Sequence, residues 1–197
     1  QLSLDHNRLN SLPTSLGFLT QMAQLRVEHN PLQSPPVEIL RTVLKPPDLF
    51  DFSIVLRYLR HLHSTHSPTV SVNSFGINAF PTVLNPEESQ GGLRHLRTIQ
   101  LNDNRISEIP KWFYYLTLLT CIRLDDNRIN RISSAVRRMT DLNELSLRRN
   151  RLKQNGLPVE ALLSLTALKI LDLNLNLTFS PPAEVLRQDV HQIFRFM

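Results

Sequence analysis

The chain has 197 residues, with 22 Lys and Arg against 17 Asp and Glu, a net charge of +5. That length suffices for one sizeable core. The mild basic excess permits an acidic partner, a membrane surface or nucleic acid but requires none of them. One cysteine, Cys121, excludes an internal disulfide, and no apolar run is long enough to cross a membrane.

Residues 1–40 carry one repeat and the start of another. Leu2, Leu4, Asn7, Leu9, Leu12, Pro13 and Leu16 form the first, and Leu25, Val27, Asn30 and Leu32 return 23 residues later. The period then breaks. Pro35 and Pro36 suit a helix start, and a helical reading runs from Val37 to Leu62, divided at Pro46 and Pro47. In its second part Ile54, Val55, Tyr58, Leu59 and Leu62 share one face. Residues 67–92 read two ways. Val70, Val72, Phe75, Ile77, Phe80, Pro81 and Leu84 have the spacing of the first repeat, with Phe75 in the place of Asn7. The stretch is then a degenerate repeat; otherwise it is a linker between two short arrays.

The clearest region is 93–197. Leu96, Ile99, Leu101, Asn104, Ile106 and Ile109 recur 23 residues on as Leu119, Ile122, Leu124, Asn127, Ile129 and Ile132. The Leu-x-Leu alternation predicts short strands near Ile99, Ile122, Leu145 and Leu171, each with one face inward. The Asn after each strand turns the chain, and its amide can bond the backbone of the adjacent coil. A ladder of Asn7, Asn30, Asn104, Asn127, Asn150 and Asn176 is expected. The segment from Asn176, with Ser-Pro-Pro-x-Glu-Val-Leu-Arg, echoes Ser34 to Arg41, and predicts a C-terminal helical cap.

This L-x-x-L-x-L-x-x-N-x-L spacing resembles the leucine-rich repeat. Pro31, Pro35, Pro36, Ile39 and Val55-Leu56-Arg57-Tyr58-Leu59-Arg60 are similar to the closing segment of intracellular repeat proteins of the Scribble, ROCO and Ras-interacting groups. Pro181, Pro182, Val185 and Ile193-Phe194-Arg195-Phe196 match it a second time. The Gly usual between the two halves of that segment is absent from both copies. The resemblance implies a right-handed α/β solenoid with a short parallel sheet on its concave face and a helical insertion. The divisions are 1–40 repeats, 41–66 insertion, 67–92 degenerate repeat or linker, and 93–197 repeats with their cap. The chain starts without Met inside a repeat, so it reads as a piece of a longer one. Extracellular relatives usually seal their ends with cysteine-rich caps; their absence points to a cytoplasmic protein.

The resemblance implies a non-catalytic scaffold that binds another protein, as a monomer or as part of a larger chain or complex. Residues between the inward leucines would line the concave face: Gln100, Asn102, Asp103, Arg123, Asp125, Asp126, Glu144, Arg148, Arg149 and Asp172. The acidic group beside Arg148 and Arg149 offers charge complementarity. A second reading makes the chain the recognition arm of a signalling enzyme (a GTPase, kinase or ubiquitin ligase) whose catalytic domain lies elsewhere. A third gives the densest basic region, Arg131, Arg137, Arg138, Arg148, Arg149, Arg151 and Lys153, an anionic ligand such as nucleic acid or lipid. Arg105, Arg128 and Arg151, with Arg8 earlier, each follow a ladder Asn and should line up along one edge, at a loop position where Lys and Arg are common. No cofactor is expected. His61, His63 and His66 lack a Cys or carboxylate in ligand spacing, and no phosphate-binding Gly-rich loop occurs. On the convex side Phe113 and Leu116 are expected inward, with Trp112 or Tyr115 exposed.

Overall fold

The structure, a computed structural model, describes residues 2–19, 22, 25–40, 53–62, 67–86 and 95–176. The division at Pro46 and Pro47, the stretch after Pro86, His63, His66 and the closing segment from 177 on, with its expected cap, lie outside these residues.

Among the described residues, alternating apolar side chains form seven short strands: β1 (Leu2–Ser3), β2 (Leu25–Arg26), β3 (Thr69–Ser71), β4 (Thr98–Gln100), β5 (Cys121–Arg123), β6 (Glu144–Ser146) and β7 (Ile170–Asp172). All pair in parallel and in chain order, as two sheets, β1-β2 and β3-β4-β5-β6-β7. The register places Val70, Ile99, Ile122, Leu145 and Leu171 side by side. All five are buried, so each coil closes the apolar face of the next. The fold is a leucine-rich-repeat solenoid.

The convex returns are tight. Thr14–Phe18, Thr82–Leu84 and Lys111–Tyr115 are single 3-10 turns, and helix α3 covers Val159–Leu163. Each follows a proline, at Pro13, Pro81, Pro110 and Pro158, whose fixed φ suits entry into a helical turn. The fourth 3-10 turn, Ser134–Arg138, starts at Ser133 instead, whose hydroxyl accepts the Ala135 N–H at 3.2 Å. Phe113 and Leu116 point inward, Tyr115 is exposed and Trp112 half-buried. Tyr114 is buried as well, because its hydroxyl accepts the N–H of Ser133 in the next coil at 3.0 Å.

Among the described residues, two helices stand between the sheets in chain order, α1 (Val37–Leu40) and α2 (Ser53–Leu62). Val55, Tyr58, Leu59 and Leu62 are buried and Ile54 is half-buried. Helix α2 touches both arrays. On one side it lies on the first convex turn, where the Arg60 Nε donates to the Gly17 carbonyl at 3.0 Å. On the other side Tyr58 meets Phe75 edge-on at 5.5 Å, and the Arg57 guanidinium sits 4.8 Å above the same ring. Phe75 occupies the ladder position of its coil, and α2 covers it.

Candidate functional site

The ladder asparagines determine how the strand ends are held. Asn127 accepts the Ile106 N–H at 3.0 Å and donates to the carbonyls of Leu101, Leu124 and Asp125. Asn150 repeats this with Ile129, Leu124, Leu147 and Arg148. Asn30 accepts from Leu9, and Asn176 accepts from Leu152. Asn104 accepts two N–H groups, from Phe75 and Ile77, since Phe75 offers no amide of its own. Asn7 differs: it is exposed and bonds only the Leu4 and Asp5 carbonyls of its own coil.

The residue before each ladder position adopts a left-handed backbone. His6, His29, Ser74, Asp103, Asp126, Arg149 and Leu175 all have φ between 51° and 60°. Such a φ costs a non-Gly residue about 1–2 kcal/mol. Bonds to the next coil hold it, as when the Asp103 N–H donates to Asp125 O at 2.9 Å and the Asp126 N–H to Arg148 O at 2.9 Å. Asp103, Asp126 and Arg149 therefore stand on turns at the edge of the sheet, beyond the strands whose concave face they were expected to line. They are exposed, and Asp126 and Arg149 form an ion pair at 3.5 Å.

A second polar ladder runs two residues before the first. Asp5 Oδ1 accepts the Glu28 N–H at 2.8 Å and Asn73 Oδ1 the Asn102 N–H at 2.7 Å. Asn102 Oδ1 takes the Asp125 N–H and Asp125 Oδ1 the Arg148 N–H, both at 2.9 Å. Asn102 and Asp125 thus hold backbone, although the sequence pattern assigned them to partner contact. The ladder stops at Arg148, which has no acceptor to offer. In the next coil Asp172 Oδ1 takes the Asn174 N–H instead, at 3.0 Å. Burial raises the Asp125 pKa; bonds from the Ser146 hydroxyl and the Arg148 N–H oppose the shift, and nearby Asp172 and Asp126 add to it.

The register sets the concave face in rows. Thr69, Thr98, Cys121, Glu144 and Ile170 form one; Ser71, Gln100, Arg123, Ser146 and Asp172 form the next. The β3–β4 half is uncharged in both rows, and charge collects on β5–β7. Arg123 Nε donates to Glu144 Oε1 at 2.7 Å and its second nitrogen to Oε2 at 3.3 Å. The Cys121 thiol lies 3.4 Å from the same Oε2. The Arg123 hydrogen bond lowers the Glu144 pKa, whereas burial first, and Glu144 next, push the Cys121 thiol up. A thiol so shifted is a poor nucleophile at neutral pH. Gln100 is half-buried and Arg148 exposed. Ile170 was missed: an apolar residue beside the inward Leu171 reads as core, but the register turns it outward, 53% exposed.

Among the described residues no cluster of His, Cys, Asp and Glu could hold a metal, and no helix is long and apolar enough to cross a membrane. Asn176 donates its side-chain amide to the Leu147 and Leu173 carbonyls at 2.9 and 2.8 Å.

Fold and face together define a leucine-rich-repeat domain. Residues 94–152 match the leucine rich repeat family. No curated protein matches the chain. Among solved structures, it is similar to an internalin of Listeria monocytogenes at 23% identity, over 94% of this chain and 43% of that one, with a TM-score of 0.48. A pollen receptor kinase 3 shares 26% identity over 56% of this chain and 51% of its own, TM-score 0.46. The BIR2 ectodomain from Arabidopsis thaliana shares 24% over 52% of each chain, TM-score 0.40. The chain spans about half or less of the length of these structures.

Proposed function

We propose that the chain recognises another protein through the β5–β7 part of its concave face, acting as a scaffold with no chemistry of its own. The observation that carries this reading is the Arg123–Glu144 pair. Two hydrogen bonds fix both side chains before any partner arrives, which reduces the ordering that binding would require. Around it stand groups able to reach a partner: the exposed Arg148 guanidinium and the apolar side chain of Ile170. An apolar anchor beside oriented charges is the usual composition of a recognition patch.

The test is affinity capture from a lysate, read by mass spectrometry, with wild type beside Arg148→Glu/Ile170→Ser. Both substituted side chains are exposed, and neither belongs to a polar ladder, so the variant should fold. A protein retained by the wild type, lost by the variant, and bound in purified form with the same difference supports the reading. Equal binding by both removes the site from this face.

A further inference from the structure

The turns that leave the strands form their own surface along one edge of the five-stranded sheet. Arg105, Arg128 and Arg151 each follow a ladder asparagine, so they succeed one another on three consecutive coils. All three are exposed. The ion pairs found among the described residues, Arg123–Glu144 and Arg149–Asp126, involve none of them. In the coil before, the same position is Gly76, with φ +68° and open space where a Cβ would stand. A cleft of about 460 Å³ runs from Gly76 along the three arginines and includes Asp103 and Asp126.

The dimensions suit an extended chain. Coils spaced at about 4.8 Å put the first and third arginine backbones about 10 Å apart, and alternate side chains of an extended peptide recur at about 6.7 Å. Two acidic side chains separated by one residue therefore fall within the row. The planar guanidinium fork takes a carboxylate in a bidentate fashion. The aspartates choose between ligand classes. A continuous polyanion laid on the row would meet Asp103 and Asp126 with like charge. A peptide brings backbone N–H donors in alternation with its acidic side chains, and so can satisfy both signs.

We propose that this edge cleft binds an extended acidic segment of a protein partner, its carboxylates in an acid-x-acid spacing on Arg105, Arg128 and Arg151. The proposal rests on the reading of the chain as a protein-recognition domain. It is tested by fluorescence anisotropy at low salt with a labelled peptide of alternating Glu and Ser. A Gln-Ser peptide and a labelled oligothymidylate of equal length serve as the other probes. The expected result is binding of the Glu peptide above both, weakened about tenfold or more in Arg105→Gln/Arg128→Gln/Arg151→Gln. The single Arg128→Gln variant, with a smaller loss, serves if the triple variant fails to fold. Equal affinity of wild type and variants, or no binding of the Glu peptide, overturns the proposal. So does tighter binding of the oligothymidylate, which would make the row a polyanion site. A partner lost by Arg148→Glu/Ile170→Ser but kept by the triple arginine variant would leave the concave reading standing and this one refuted.

Discussion

Replacing Asn127 by Leu separates the ladder's contribution from that of the apolar coils. The side chain is buried and serves four backbone groups. They do not lose equally. The Leu101 carbonyl keeps its bond from Asn104, the Leu124 carbonyl its bond from Asn150, and Asp125 O its bond from the Asp103 N–H. The Ile106 N–H, in a fully buried residue, loses its Asn127 acceptor. One orphaned buried donor costs about 1–3 kcal/mol. The three weakened carbonyls and the poorer fit of a branched side chain bring the expected loss to about 3 kcal/mol. For a domain of this size that lowers the melting temperature by about 6–12 °C. The internal control is Asn7→Leu. Asn7 is exposed and accepts no backbone N–H, so its replacement should cost under about 1 kcal/mol. Thermal unfolding followed by circular dichroism measures both. Equal shifts for the two variants would refute the argument, because the same chemical change would then be indifferent to the neighbouring coil.

Three further outcomes are expected. Gly17→Ala places a Cβ 2.5 Å from the Arg60 nitrogen and 2.8 Å from the Leu56 carbonyl oxygen, so α2 must shift. A loss of about 1–3 kcal/mol, with faster amide exchange in α2, is expected; an unchanged exchange pattern would count against the packing. Asp125→Asn keeps an acceptor for the Arg148 N–H but removes a carboxylate whose folded-state pKa is raised by burial. A raised carboxyl pKa means that wild-type stability falls as pH climbs from the ordinary Asp value through the folded one. The variant should therefore melt higher at pH 7, and its advantage should vanish as pH drops below the ordinary Asp value. Glu144→Gln removes the negative charge that, after burial, helps to raise the Cys121 thiol pKa, so alkylation of Cys121 at pH 8 should accelerate; slower alkylation would contradict the arrangement.

Much of the fold is legible in the sequence because the inward leucines obey two periods at once, two within a strand and 23 between coils. Ile99, Ile122 and Leu145 share a register for that reason, and Val70 and Leu171 join it across longer coils of 29 and 26 residues. The turns are not legible. Left-handed backbone is normally signalled by Gly, yet here it falls on His, Ser, Asp, Arg and Leu. The neighbouring coil imposes it, through bonds such as Asp103 N–H to Asp125 O, and no local pattern records such a bond. The edge positions of Asp103, Asp126 and Arg149 follow from that turn. Ile170 was hidden for the opposite reason: its side chain suggests core, and only the pairing with Glu144 shows that it faces out.

The second ladder narrows where recognition can act. A residue that holds its neighbour's backbone cannot swing to meet a partner, so Asn73, Asn102 and Asp125 supply rigidity on this row. Arg148 takes the last of these bonds through its N–H and passes none on, so its side chain is the first on the row released from structural duty. This ladder ends where the charged, partly apolar surface of β6 and β7 begins, and there the Arg123–Glu144 pair is the fixed element. The edge arginines obey the same logic, since each is placed by the asparagine before it while its own side chain stays in solvent. Arg148, Ile170 and the edge arginines thus stand at positions that the repeat fixes in space without using their side chains. Substitutions there should change binding with little effect on melting, and substitutions one residue away, at Asn104 or Asn127, should do the reverse.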